Sequence, residues 1–239
     1  MHRFVWDMHY PPPDALDHEY PISAIFRDTP RHPLGAWALP GQYTMKLTVA
    51  GKTYEAPLTV RMDPRIQTPP ADLAKQFEME TGAVAGLNQT YAALQEVQSL
   101  RTELKDRAAK AGKKQLADAI AALDKKVAEL AGATREGFFG LPPAGKQPEN
   151  FSTLHQHFAG ILSVADSADA APPTQATADY AELQAALKEL LARWEELKTK
   201  DLAGLNEQFK KAKLAPVHLA VNGTEVPRSA EISRTAGAQ

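Results

Sequence analysis

Apolar and polar positions follow two different periods along this chain, and the change falls near residue 65. In residues 42–49, Tyr43, Met45, Leu47 and Val49 alternate with Gln42, Thr44, Lys46 and Thr48, which places the four apolar side chains on one face of a strand. Pro40-Gly41 makes the turn before it. Ala50-Gly51 fits a short hairpin connection in which Gly51 can take positive φ, and residues 54–62 form the return strand. Upstream, the alternation in residues 3–10 predicts another strand that stops at Pro11-Pro12-Pro13, where missing N–H groups end sheet pairing. Residues 22–27 offer a further short strand, and residues 29–39 read as a loop.

A hairpin with one apolar face has to bury it against a second layer. An immunoglobulin-like sandwich uses about seven strands in about 100 residues. Residues 1–65 supply only three or four. The expected β module is therefore a partial immunoglobulin-like β-sandwich lacking its first strands, with Met1 as an internal start and with Phe4, Trp6, Tyr43, Met45, Leu47 and Val49 as its packing residues. Uncovered edges and an apolar face make self-association an expected hazard of such a module.

From Pro69-Pro70 onward the period becomes helical. Leu73, Phe77, Val84, Leu87, Tyr91, Leu94, Val97, Leu100 and Leu104 predict one long helix over about 72–109, with Thr68 or Asp72 as its cap. After Gly112, Leu116, Ile120, Leu123, Val127 and Leu130 mark a second helix, and the Gly- and Pro-rich stretch 137–148 breaks the pattern. A third helix starts near Asn150 with Phe151, Leu154, Phe158, Ile161 and Ala165. A fourth, about 176–212, carries Tyr180, Leu183, Leu187, Leu190, Trp194, Leu197, Leu205 and Phe209. The fold class that follows is multidomain β plus all-α: the partial sandwich over 1–65, an up-down-up-down four-helix bundle over 66–215, and a loosely ordered tail over 216–239. The two longer helices outreach the shorter pair, and their extra surface is where the β module or a partner would dock.

Composition narrows the function classes. Lysine and arginine number 27 against 29 aspartates and glutamates, so bulk charge gives no reason to expect a nucleic-acid partner. There is no cysteine, which excludes disulfides, Cys-ligated zinc and thiol nucleophiles. No apolar run reaches the ~20 residues of a membrane span, and the start of the chain has no signal-peptide pattern. Membrane insertion is not expected.

The motifs of zincins, serine hydrolases, dinucleotide-binding folds and P-loops are all missing. His155 and His157, two apart on a helix, point in different directions and cannot chelate together. Asp7, Asp14, Asp17, His18 and Glu19 cluster around a Pro-rich turn, where turn, cap and loop-positioning roles are the simpler reading than acid/base catalysis. Trp37, beside Gly35 and before Pro40-Gly41, reads as a loop plug, with an exposed sugar platform as the sharper alternative. Trp194 belongs to the apolar stripe, Glu103 and Arg107 form an i,i+4 pair, and Glu195, Glu196, Lys198 and Lys200 form a solvated face. No catalytic, metal-ligating or cofactor-binding residue is assigned and no cofactor is expected; the expected contact surface is Trp37, His32 and Leu39 in the loop 29–40.

The order of residues 2–8, 39–49 and 57–65, with Asn150-Phe151-Ser152-Thr153-Leu154 and residues 164–169, resembles the carboxy-terminal region of bacterial sortilin-like or BNR-repeat glycosyl hydrolase-like proteins. In that family a β-propeller precedes an immunoglobulin-like module and a helical region. The resemblance implies a non-catalytic structural or interaction module of a larger exported protein, whose partner is the propeller or another protein and whose location is periplasmic or extracellular. Its rival is an accessory carbohydrate-binding module, for which an exposed platform at Trp37 would argue and burial of both Trp6 and Trp37 would speak against. No catalytic residue carries over.

Overall fold

The computed structural model describes residues 5–14, 33–132, 149–219 and 233–234. Two strands, β1 (Gly41–Val49) and β2 (Lys52–Val60), form an antiparallel hairpin. Both residues of its connection have positive φ, 49° at Ala50 and 78° at Gly51, as a two-residue type I′ turn requires. Five helices follow: α1 (Pro70–Ala108), α2 (Lys114–Ala131), α3 (Phe151–Ala165), α4 (Thr174–Glu196) and α5 (Ala203–Lys211), the last two joined through a π-helical segment, Leu197–Leu202. The α4, π and α5 segments form one run, so the helical region consists of four packed rods. A two-residue strand, β3 (Ser233–Arg234), pairs with β1 at Tyr43 and Thr44, giving the sheet order β2-β1-β3.

The core lies among the helices. α1 packs against α2, α3 and α4. Leu87, Leu100, Leu104, Leu154, Phe158, Leu190, Trp194 and Phe209 are among its most deeply buried side chains. Close approach of α1 and α3 depends on Gly86: a methyl group built there would lie 2.7 Å from the Phe158 ring. Asn150 caps α3, accepting the Thr153 N–H at 2.9 Å. α1 has no side-chain cap. Its N-cap is Pro69, while the expected cap Thr68 donates instead to the Asp169 carbonyl at 2.5 Å and Asp72 sits in the first turn.

The sandwich expectation is corrected by the strand topology. Among the described residues there is one hairpin, extended only within its own layer by β3, and after β2 the chain runs directly into α1. Met45, Leu47 and Val49, expected to pack, are exposed because no second sheet faces them; of the expected set Tyr43 is buried and Trp6 half-buried. Residues 5–10 make an isolated bridge, His9 to Trp37, in place of a strand. Phe4, His32, the short strand expected at 22–27 and the break at 137–148 lie outside the described residues. Immediately after α5 the chain folds back: Val217 is buried, its backbone N–H and carbonyl both bonded to the Asn206 amide at 2.8 and 3.0 Å.

Candidate functional site

Two places gather chemistry. The first is the junction where residues 5–14 and 33–40 lie on the first turns of α1. Backbone bonds Tyr10 N–H to Ala36 and Ala38 N–H to Met8, both 2.8 Å, hold the two segments side by side. Tyr10 then packs on Phe77 at 5.5 Å between ring centroids, and the Asp14 N–H donates to Asn88 at 2.7 Å.

At the centre of this junction Glu80 is only 1% exposed, yet both its oxygens are engaged. Oε2 accepts the Trp37 backbone N–H at 2.9 Å and Oε1 accepts Gln76 Nε2 at 3.0 Å; Gln76 in turn donates to the Ala165 carbonyl at 2.8 Å, tying the end of α3 to α1. Burial pushes the Glu80 carboxyl above the ordinary carboxylate range, opposed by those two donors; Asp166 adds to the rise and His9 opposes it. His9 is buried beside it. Its ring stacks on Trp37 at 4.0 Å, with Nδ1 3.5 Å from Asp7 and Nε2 3.5 Å from Asp166, separations at which neither nitrogen is hydrogen-bonded.

A cavity of about 180 Å³ borders this cluster, lined by Trp37, Leu39, Phe77, Glu80, Asp63 and Asp169 among others. Ligand pockets usually run to ~300–1,000 Å³, and the cavity among the described residues is smaller than that. Glu80 accepts one hydrogen bond on each oxygen, both from donors within the chain. The arrangement fastens two loop segments to a helix pair.

The second place is the hairpin. Its polar face is satisfied by cross-strand pairs: Lys46 with Glu55 at 3.6 Å, Thr48 with Thr53 at 3.1 Å, and Thr59 donating to Gln42 at 2.9 Å. Its apolar face is anchored only at the base, where Tyr43 is buried, meets the Trp6 ring at 5.9 Å and donates its hydroxyl to the Leu39 carbonyl at 2.7 Å. Further out, Met45, Leu47, Val49 and Tyr54 are 50, 61, 53 and 59% exposed on that one face. Counted from the closing pair Val49–Lys52, Pro57 falls at a position whose nitrogen faces away from β1. The outer edge of β2 therefore lacks a donor near its middle, which opposes edge-to-edge pairing.

Trp37 and Leu39, from the expected contact surface, are half-buried along the small cavity, and the Trp37 ring stacks on His9. Trp6 is also half-buried, its indole N–H donating to the His9 carbonyl at 2.8 Å. Of the acidic cluster, Asp7 lies beside His9 and Asp14 next to Asn88, while Asp17, His18 and Glu19 are outside the described residues. His155 is buried against Thr90 at 2.8 Å and His157 is exposed, so the pair does diverge. Trp194 is buried with its indole N–H on Glu96 at 2.8 Å, and Arg107 pairs with Glu103 at 3.1 Å. The sequence reading missed His9, Gln76, Glu80 and Asp166. Gln76 and Glu80 had a signal: both fall in register with Leu73, Ala83 and Leu87, polar residues on a buried helix face. Among the described residues no group of three or more His, Cys, Asp or Glu side chains is placed to hold a metal ion, and no helix is long and apolar enough to cross a membrane.

No protein-family model, curated protein or solved structure matches the chain. The resemblance to sortilin-like and BNR-repeat glycosyl hydrolase-like proteins is thereby corrected: the described residues hold a hairpin and packed helices, with no propeller, no BNR repeat and no immunoglobulin-like topology. With it fall the roles read from it, a module of a propeller protein and an accessory carbohydrate-binding module.

Proposed function

We propose that the chain is a non-catalytic docking module in which the helices and the junction clasp form a rigid base and the hairpin presents its mainly apolar face, with Lys52 at the turn end, to another protein. The observation that carries this reading is the exposure of Met45, Leu47, Val49 and Tyr54 together on one face of a hairpin whose other face carries three polar cross-strand pairs. Such a patch, on the order of 400 Å², is as large as most monomers leave bare and about half of what one partner contributes to a standard interface. Two copies joined through this face alone fall short of a stable dimer. A different protein, apolar opposite the hairpin and making further contacts beyond it, fits better. The acidic junction supports a structural role for Glu80, whose oxygens are both taken by donors within the chain.

Photo-crosslinking in the producing cell tests the reading. A photo-reactive phenylalanine analogue at position 47 is expected to give one discrete adduct with another protein, and the same analogue at position 48, on the paired face, none. Equal labelling from both positions, or adducts only between copies of this chain, overturns it.

A further inference from the structure

Between α3 and α4 runs an open groove of about 710 Å³, far from the hairpin in sequence and built from different residues. Ile161, Val164, Ala176 and Leu183 give it an apolar floor, and Val164 is one of the few large aliphatic side chains in the described helices left exposed. Its rim is one-sided in charge: among the described residues Glu149, Asp179 and Glu182 line it with the imidazole of His157, and no lysine or arginine does.

Gly160 adds a separate observation. It lies in the interior of α3, where glycine weakens a helix. At Gly86 the chain has a packing reason for glycine, since the Phe158 ring fills the space above it; at Gly160 a methyl group would meet nothing within 4 Å. At Gly160 the missing side chain widens the groove and serves no contact among the described residues.

We propose that this groove receives an amphipathic helix from another protein, aliphatic residues at i, i+4 and i+7 lying on the floor over Gly160 and lysines or arginines facing Glu149, Asp179 and Glu182. The wall from Glu149 to Val164 accommodates about fourteen residues of helix at ~1.5 Å per residue. A second copy is not the occupant, because the lysine-bearing helices α2 and α5 already bury their apolar faces in the core. This surface goes beyond the hairpin reading and stands or falls without it.

The test is a phage-displayed library of helix-forming peptides, each about fourteen residues long, selected on the full chain. Survivors are then measured against Gly160→Leu, which fills the groove, and against the double reversal Asp179→Lys with Glu182→Lys. Expected are peptides with net positive charge around spaced aliphatic residues, binding at least about tenfold more weakly to either variant and more weakly at high salt. The proposal is overturned if nothing enriches, if the enriched peptides lack lysine and arginine, or if they bind Gly160→Leu as tightly as the parent. Circular dichroism and thermal melting establish that Gly160→Leu folds. Should it not, undiminished binding to the charge-reversed pair overturns the proposal by itself.

Discussion

Glu80 shows how one buried carboxylate can tie three segments together, and what that costs. Its two oxygens meet two donors, Trp37 N–H and Gln76 Nε2, so an acceptor-only group is what the position demands. Glu80→Gln is expected to destabilise the fold by about 1–3 kcal/mol, since the carboxamide must turn a donor toward one of them. The pH dependence has a definite sign. With its folded pKa above the ordinary carboxylate value, Glu80 binds a proton more readily in the native state than in the unfolded chain. Stability from this residue is thus lost as pH rises through the interval between the two values, and the loss is complete above the folded one. Urea denaturation of both proteins across that range should show the gap between parent and Glu80→Gln narrowing as pH increases; a gap independent of pH contradicts the assignment.

At the scale of elements, the run α4–π–α5 explains an irregularity in the sequence. From Leu187 on, its buried positions are Leu190, Trp194, Leu197, Leu202, Leu205 and Phe209, and the steps of three and four are interrupted once, by five, from Leu197 to Leu202. An α-helix would turn Leu202 off the core face; one π-helical segment absorbs the extra residue and keeps it there. Deleting the exposed Lys200, a change that ordinarily breaks a helix, should restore a step of four and leave the melting temperature within a few degrees of the parent. A loss of more than about 2 kcal/mol means the π segment is needed for another reason. Two of the helix glycines form a second pair of opposites: Gly86→Ala should cost about 1–3 kcal/mol through the Phe158 ring, and Gly160→Ala should stabilise by about 0.5–1 kcal/mol, both read from denaturant midpoints. Most of the helical layout was legible in this way, because leucines at steps of three and four mark a core face without ambiguity. The middle of α1 was not. There the buried face, besides Met79 and Leu87, is made of Gln76, Glu80, Ala83, Gly86, Thr90 and Ala93, small or polar residues that a search for large apolar side chains passes over, while Phe77, Val84, Tyr91 and Leu94, which it selects, are only half-buried.

For the whole molecule, the hairpin's alternation was readable but its fate was not, since a face of Tyr43, Met45, Leu47 and Val49 looks the same whether a second layer covers it or leaves it bare. Sequence position also suggests that everything before residue 65 moves together, whereas the contacts divide the region differently. Residues 5–14 and 33–40 are fastened to α1 and α3 through Tyr10–Phe77, Asp14–Asn88, Trp37–Glu80 and the Gln76 bridge to Ala165. The outer hairpin has its own ladder and exposed side chains. Unfolding should therefore follow contacts rather than chain order. Replacing Trp194 with phenylalanine leaves Trp6 and Trp37 as the fluorescent probes, both in the fastened segments. In that variant the fluorescence midpoint in urea should coincide with the midpoint of helix loss measured by circular dichroism, because one cooperative unit contains both. Amide exchange should separate the outer hairpin instead, with Leu47 and Tyr54, whose N–H groups lie in the β1–β2 ladder, exchanging at lower opening energy than Leu87 or Leu154. Fluorescence that changes well before the helices melt would place the clasp outside the helical core and remove the rigid base on which the docking reading depends.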